Sequence, residues 1–345
     1  MIKKILLASP RGFCAGVDRA IDVVEASLEI FGSPVFVKHA IVHNTHVVND
    51  LEKKGAIFVE DLDEISPSVF DPKAQTRRAD GSIIIFSAHG TDPAIKEEAQ
   101  KRGFRVIDAT CPLVTKVHLE AKRYASEGYF IIYIGHRNHP EPIGVFGEVP
   151  RRSITLIEKD NEVKDLKVPQ GEKLVYLTQT TLSVPDTLEI IEKLKKKFPK
   201  IISPPSADIC YATTNRQMAA RNLAQKSDLV LVIGSKISSN SKRLVEICRE
   251  AKTKVYLIDD EKKIQTKWLK NVKILGITSG ASAPEYLIKR VVNFIEKINH
   301  GIKVENFRVL KEEVKFPLPD QLVFQAKKSQ KGVAWVKKHE VVTQR

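Results

Sequence analysis

Short apolar runs alternate with amphipathic stretches along most of the chain. Runs such as 83–86, 174–177 and 274–277 carry no charged side chain, which is typical of strands that are covered on both faces. Between such runs, residues 17–31 place apolar side chains at helical spacing, and the pattern ends at Gly32. This alternation predicts an α/β fold built from parallel units.

One plan recurs three times along the chain, with a cysteine at the start of each copy. The cysteines lie almost one hundred residues apart, and they are Cys14, Cys111 and Cys210. A first polar position follows about 28 residues later and a second about 70 residues later; these are His43 and His89, His139 and Thr180, and Ser238 and Ser282. We therefore expect three lobes, 1–110, 111–206 and 207–313, followed by a basic C-terminal extension, 314–345.

The six polar positions all fall a few residues after an apolar run, where a loop follows a predicted strand. In open parallel sheets, ligands bind beyond the carboxyl ends of the strands. Three small sheets that point these ends inward would enclose one central pocket.

Two segments do not follow the repeat. Residues 66–81 are polar and contain two prolines, which favours a surface insertion. After about residue 300 the repeat ends, and the Phe-Pro-Leu-Pro stretch at 316–319 is interpreted as a linker or an extended packing arm. The basic composition of 327–345 is compatible with disorder, and the apolar patch at 333–336 makes a poor buried strand because lysines follow it.

The bulk composition narrows the class of protein. A net charge of +14 could indicate a nucleic-acid partner, but the basic residues are spread along helical segments, and we interpret them as solvated faces. A positive field would also attract a small anionic substrate or an acidic electron carrier. The apolar runs are too short for a membrane span, and four cysteines in 345 residues favour a reducing cytoplasm over a disulfide framework.

The three repeated cysteines are candidates for metal ligands. Each stands where a predicted strand passes into a helix, and a helix N-terminus favours the thiolate that binds metal. Structural zinc sites prefer four ligands in close pairs, and no such pair is present. Iron–sulfur clusters accept distant cysteines, and three ligands on a four-iron cluster leave one iron open as a Lewis acid. Packed, inert thiols are the alternative, and Cys248, inside a helical pattern, fits that description.

The polar positions supply groups for an anion and for proton transfer. Imidazoles, hydroxyls and amides are hydrogen-bond donors that suit a phosphate, and the candidates are His43, His89, His139, Thr180, Ser238, Ser239, Asn240 and Ser282. Glu141 lies next to His139 in sequence, and burial near a cluster would keep its carboxyl protonated near neutral pH. No dinucleotide-binding or P-loop motif is present, so electrons would come from an outside protein.

Nine stretches of sequence carry a resemblance to a known family. They are 10–20 (PRGFCAGVDRA), 41–44 (IVHN), 86–90 (FSAHG), 108–117 (DATCPLVTKV), 139–141 (HPE), 178–183 (TQTTLS), 208–217 (DICYATTNRQ), 234–241 and 278–284. In this order they resemble the 4-hydroxy-3-methylbut-2-enyl diphosphate reductases, which complete the methylerythritol phosphate route to isoprenoids. The resemblance covers about residues 3–290.

This resemblance implies a trefoil of three α/β lobes around a [4Fe-4S] cluster held by Cys14, Cys111 and Cys210. It also implies that the histidines, Ser238, Ser239, Asn240 and Ser282 hold the diphosphate of an allylic substrate. Thr180 would position the hydroxyl end and Glu141 would deliver the proton, and His139 is the third candidate catalytic residue. Two electrons, from a reduced ferredoxin or flavodoxin, and two protons would give isopentenyl and dimethylallyl diphosphate.

The chain departs from the family pattern at the insertion, at Ile237 and in the tail after about residue 314. Two alternative functions stay open. One is a three-cysteine iron–sulfur enzyme of the quinolinate synthase type, which has no net redox step. The other is a nucleic-acid-binding protein that uses the basic tail.

Overall fold

A computed structural model describes residues 1–65, 81–328 and 330–343. The predicted insertion at 66–81 falls almost entirely outside these ranges. The strands are β1 Lys4–Ser9, β2 Val35–Lys38, β3 Ala56–Val59, β4 Ile83–Phe86, β5 Arg105–Asp108, β6 Tyr129–Ile134, β7 Ile154–Ile157, β8 Lys173–Thr178, β9 Leu229–Ile233, β10 Lys254–Ile258, β11 Ile274–Ser279 and β12 Lys303–Arg308. The helices are α1 Ala15–Phe31, α2 Thr45–Lys53, α3 Pro93–Lys101, α4 Pro112–Ser126, α5 Pro140–Gly147, α6 Glu162–Asp165, α7 Val184–Lys197, α8 Tyr211–Ala224, α9 Ser239–Glu250, α10 Glu285–Ile298, α11 Asp320–Ala326 and α12 Gln330–Thr343.

The strands form three separate sheets in which every strand pairing is parallel. Their strand orders are β3-β2-β4-β5, β7-β6-β8 and β10-β9-β11-β1-β12. The central strands β4 and β9 are buried at every position, as expected for strands with helices on both faces. The predicted three-lobed α/β fold is therefore confirmed.

Each sheet pairs with the segment that leads to the cysteine of the next lobe. Strand β5 pairs with β4 and leads to Cys111, while Ile202 bridges to Val175 on β8 and leads to Cys210. The third lobe has no later cysteine, and β1, which leads to Cys14, pairs with β11 in its sheet. The lobes are thus connected in a ring.

This ring corrects the predicted boundary of the first lobe. The range 1–110 assigned the first strand to that lobe, but β1 lies between β11 and β12 in the third sheet. The place between β11 and β12 is thus filled from the start of the chain and not by a neighbouring segment of the third lobe. Pairing between the two ends of a chain leaves no mark in the local hydrophobic pattern.

The C-terminal extension is helical and packed, which corrects the expectation of a disordered tail. Leu322, Ala326, Trp335 and Val336 join the core of the first lobe, and Leu318 packs against it. The indole of Trp335 donates to Glu29 on α1 at 3.0 Å. The apolar patch at 333–336 is therefore one turn of α12 and not a strand. No helix within the described ranges is both long enough and apolar enough to cross a membrane.

The packing of the tail generates a stability prediction. Leu322→Ala is expected to lower the free energy of unfolding by about 2 to 4 kcal/mol, because Leu322 is fully buried in the first core. Phe324→Ala on the same helix is the control, since that ring is 62% exposed and its loss is expected to cost less than about 1 kcal/mol. Urea unfolding followed by circular dichroism measures both. Equal small losses would contradict the docking of α11.

Candidate active site

One central cavity of about 100 Å³ brings together every residue that the sequence nominated. Its lining includes the three repeated cysteines, the three candidate histidines and the candidate polar residues of the three lobes. The nominated residues in the lining are Cys14, His43, His89, Cys111, His139, Glu141, Thr180, Cys210, Ser238, Ser239, Asn240 and Ser282. The carboxyl ends of the three sheets therefore meet at this point.

The three cysteines occupy equivalent places at helix N-termini. Cys14, Cys111 and Cys210 are the N-cap residues of α1, α4 and α8. The amide of each donates to a carbonyl of a loop that carries a second polar position: Cys14 to Ala281 at 3.2 Å, Cys111 to Ala88 at 3.0 Å and Cys210 to Thr180 at 3.0 Å. The repeat thus fixes each cysteine against the preceding lobe.

A glycine makes room for the thiols. A Cβ atom at Gly16 would lie 2.5 Å from the sulfur of Cys111 and 4.0 Å from that of Cys14. No side chain fits at that distance, so Gly16 allows the two sulfur atoms to approach the start of α1. All three thiols keep part of their surface accessible to the cavity.

The thiols lie in an environment that opposes negative charge. Burial raises the pKa of Cys111 to about 12 and that of Cys210 to about 11, and charge on the neighbouring cysteines adds to both rises. Burial also raises the pKa of Cys14, against the favourable field of Arg216. The expected lowering of the pKa by helix N-termini is therefore outweighed. Three thiolates would need a positively charged partner here.

Within the described ranges, no group of three or more His, Cys, Asp or Glu side chains is arranged to ligate a single metal ion. In a [4Fe-4S] cluster each cysteine binds a different iron atom, so its sulfur ligands surround a volume and do not converge on one point. Three accessible thiols around one cavity, with Gly16 clearing space between two of them, fit a cluster of this kind.

Three imidazole rings from two lobes cluster beside the thiols. The rings of His43 and His89 stack with centroids 3.9 Å apart, and His139 lies edge-on to both at 5.3 and 5.7 Å. Burial lowers the pKa of His43 to about 4 and that of His139 to about 3, and it also holds the pKa of His89 well below its ordinary value. The three rings are consequently neutral at physiological pH.

Several buried polar atoms in this cluster lack a protein partner. Both ring nitrogens of His43 and both side-chain polar atoms of Asn240 have no hydrogen-bond partner among the described residues. Buried polar groups are rarely left unpaired, because the loss of hydration costs about 1–3 kcal/mol per group. These atoms indicate a polar ligand that the cavity is built to receive.

The serines of the third lobe surround the same space. Ser238 is the N-cap of α9, and its side chain accepts from the amide of Ser241. Ser282 donates to the carbonyl of His43 at 3.2 Å, which ties the third lobe to the first. The N-terminus of α9, with Ser239 and Asn240 in its first turn, favours a negatively charged ligand.

Glu141 is held inside a hydrogen-bonded group. Thr180 donates to it twice, from the amide at 2.7 Å and from the hydroxyl at 2.9 Å, and Tyr133 donates at 3.4 Å. Only 1% of the residue is exposed, and this burial raises its pKa to about 7 although the bonds from Thr180 oppose the rise. Glu141 can therefore hold or release a proton near neutral pH.

Two residues of the site region were missed by the sequence analysis. Tyr133 contacts Glu141 but belongs to the apolar run of β6. In such a run the sequence does not distinguish a tyrosine that donates to Glu141 from an ordinary aromatic residue of the core. Asp208 accepts from the amide of Thr178 and binds Lys116, and it holds the loop before Cys210. The one sequence signal for Asp208 was its position two residues before Cys210.

Comparison with known proteins identifies the family. The family model of the LytB protein matches residues 5–296. A curated 4-hydroxy-3-methylbut-2-enyl diphosphate reductase from Hamiltonella defensa is 48% identical over 322 residues, covering 92% of this chain and 97% of the relative. The namesake from Nitrosomonas europaea is 47% identical, with 92% and 96% covered. A solved structure of the corresponding reductase from Plasmodium falciparum aligns with a TM-score of 0.87 and 42% identity, over 95% of this chain and 99% of that one.

The fold and the site together define the class of protein, which is a three-lobed α/β enzyme with a central cavity lined by cysteines. The chain belongs to the LytB family, and its predicted resemblance to these reductases is confirmed. The expected enzyme class, oxidoreductase, is confirmed with it. These relatives favour the reductase family over the quinolinate synthase type and over a nucleic-acid-binding protein.

Proposed function

We propose that the chain reduces 4-hydroxy-3-methylbut-2-enyl diphosphate to isopentenyl diphosphate and dimethylallyl diphosphate. The reaction takes two electrons and two protons, breaks the carbon–oxygen bond of the allylic alcohol and releases water. The observation that carries this proposal is one buried cavity that combines three thiols, a cluster of unpaired polar donors and a protonatable carboxyl.

Cys14, Cys111 and Cys210 would hold a [4Fe-4S] cluster with one open iron. When bound, this cluster supplies the electrons and a Lewis-acid site for the hydroxyl group of the substrate. Three helix N-termini and three backbone hydrogen bonds between lobes support this assignment, because they hold the three cysteines around one cavity. The positive charge of the iron–sulfur core would offset the electrostatic repulsion among three neighbouring thiolates.

The diphosphate would bind to the unpaired donors on the other side of the cavity. Neutral imidazoles each offer one N–H donor, and His43 and Asn240 have none of their polar side-chain atoms satisfied by described residues. Ser238, Ser239 and Ser282 add hydroxyls, and the α9 N-terminus adds its dipole. A multi-oxygen anion satisfies such a set better than a neutral ligand does.

Glu141 would deliver the proton, with Thr180 positioned between it and the substrate. The hydroxyl of Thr180 donates to Glu141 and lines the cavity, and its carbonyl accepts from Cys210. This arrangement places the carboxyl next to the thiol side of the cavity. Water is excluded there because Glu141, Tyr133 and Thr180 are all buried.

An acidic electron carrier, a reduced ferredoxin or flavodoxin, would dock over α4. A surface pocket lies there, lined by Arg19, Thr110, Pro112, Thr115, Lys116, Leu119, Glu120 and Arg123. Leu119 is 61% exposed and stands among cations, and the residues on both sides of Cys111 form part of the lining. A carrier bound there would lie over the two residues that flank Cys111.

The cysteine assignment predicts a difference between two serine variants. After anaerobic reconstitution with iron and sulfide, Cys111→Ser is expected to lose iron and visible charge-transfer absorption, because a ligand to the cluster is gone. Cys248→Ser is the control, since Cys248 is buried in the third-lobe core and contacts Ala220. Iron per chain and the optical spectrum measure both. A wild-type protein that stays colourless would exclude the cluster.

The role of Glu141 predicts a loss of turnover without a loss of binding. Glu141→Gln is expected to lower turnover with a chemical reductant by about 10²- to 10⁴-fold while cluster content and substrate affinity are kept. Wild-type turnover is expected to fall as pH rises through about 7, because the protonated carboxyl is the donor and its pKa lies there. Glu148→Gln serves as the control. Near-normal turnover of Glu141→Gln would remove Glu141 from proton delivery.

The docking face predicts a donor-specific defect. The double variant Leu119→Glu, Arg123→Glu is expected to lower kcat/KM with reduced ferredoxin at least tenfold, because it removes an exposed apolar contact and reverses a charge. Turnover with dithionite is expected to be unchanged, since this small reductant needs no docking face. Lys195→Glu, an exposed site on α7, is the charge control. An unchanged kcat/KM with ferredoxin would exclude this face.

A further inference from the structure

Three cations repeat with the cysteines, one on each cysteine helix. Arg19 and Lys116 come five residues after Cys14 and Cys111, and Arg216 comes six residues after Cys210. At this spacing each cation lies about one and a half turns into its helix, α1, α4 or α8. None of the three belongs to the ligand set proposed above.

Each cation binds the loop that precedes the cysteine of the next lobe. Arg19 donates to the carbonyl of Thr110, directly before Cys111, at 3.0 Å. Lys116 donates to the carbonyls of Ser206 and Ala207 at 3.2 and 3.5 Å and to the carboxylate of Asp208 at 2.9 Å.

Arg216 closes the ring by reaching the loop before Cys14. Its guanidinium donates to the carbonyl of Gly12 from two nitrogens at 3.2 and 2.9 Å and to the carbonyl of Phe13 at 3.1 Å. The side chain is almost completely buried, and its Nη1 atom also binds both carboxylate oxygens of Glu312 at 3.1 Å. Each cysteine helix is thus joined to the loop that leads into the next cysteine, and the third contact returns from α8 to the loop before Cys14.

The C-terminal segment supports two of these contacts from outside. Glu312 pairs with Arg216, and the carbonyl of Pro317 accepts from Nε of Arg19 at 2.7 Å. Both arginines are thereby fixed in orientation by the chain that leads into α11. Arg216 and Arg19 also lie close enough to the thiols for their charges to interact with Cys14 and Cys111 respectively.

We propose that Arg19, Lys116 and Arg216 form a ring of cationic latches that fixes the three cysteine loops and stabilises the reduced state of the bound cluster. They are positioning residues, because they act through the cysteine backbones and touch no substrate atom. A cluster held by three thiolates gains negative charge on reduction, and nearby fixed cations raise its reduction potential. This inference rests on the proposed cluster but adds residues and an effect that the ligand set does not include.

The test uses the reconstituted holoenzyme and two readouts other than turnover. Arg216→Gln is expected to release iron to a chelator about tenfold faster than the wild type. At a fixed applied potential near the midpoint, its ratio of reduced to oxidised cluster is expected to fall about tenfold, which corresponds to about 59 mV for one electron. Arg216→Lys keeps the charge and is expected to recover most of the potential but only part of the iron retention.

Two further variants keep the test decisive if Arg216→Gln folds poorly. Lys116→Gln, at a partly exposed site, is expected to show the same faster iron release, and Lys116→Arg is expected to restore the wild-type rate. Arg221→Gln is the matched control on α8, since its partner Glu250 lies on α9 and away from the cysteine loops. A chain that binds no iron at all would refute the cluster itself. Normal iron content with unchanged release and unchanged potential in the Arg216 and Lys116 variants would overturn the latches alone.

Discussion

Three thiols lie in one buried cavity, and the free-energy cost of ionising them there constrains how the rest of the molecule is arranged. Charge on neighbouring thiolates raises the cost of ionising Cys111 and Cys210, and burial removes the water that would screen them. Two features of the fold lower the cost of ionisation. They are the positive ends of the dipoles at three helix N-termini and two arginines whose charges interact with Cys14 and Cys111. A cationic cluster would complete the balance, and without one the thiols stay protonated.

The ring of lobes follows from where each cysteine stands in the chain. A segment that pairs with one sheet leads to the cysteine of the next lobe, so each cysteine stands at the junction of two lobes. The backbone bonds from the cysteine amides run across the same junctions as the contacts of Arg19, Lys116 and Arg216. Distances between the thiols are thus set by interfaces and not by any single loop.

The sequence predicted the parts of this design that repeat, and it missed those that do not. The loops at fixed distances after Cys14, Cys111 and Cys210 were predicted to converge, and they do. The reason is that every strand–loop–helix unit of a parallel sheet carries its loop residues at the carboxyl edge of that sheet. The position of β1 was missed because pairing between chain ends carries no periodic signal. Tyr133 was hidden in an apolar strand. The tail was misjudged because its few apolar residues, such as Leu322 and Trp335, find partners on α1 that composition does not show.

The same burial sets two opposite protonation states in one cavity. Desolvation disfavours charge, so it keeps the imidazoles of His43 and His139 without their extra protons and keeps the Glu141 carboxyl with its proton near neutral pH. An anionic ligand against the imidazoles would raise their pKa values and draw protons toward the diphosphate side. The same negative charge would oppose ionisation of the Glu141 carboxyl and so favour its protonated form. A bound anion and a proton donor can therefore coexist a few side chains apart, as the proposed reduction requires.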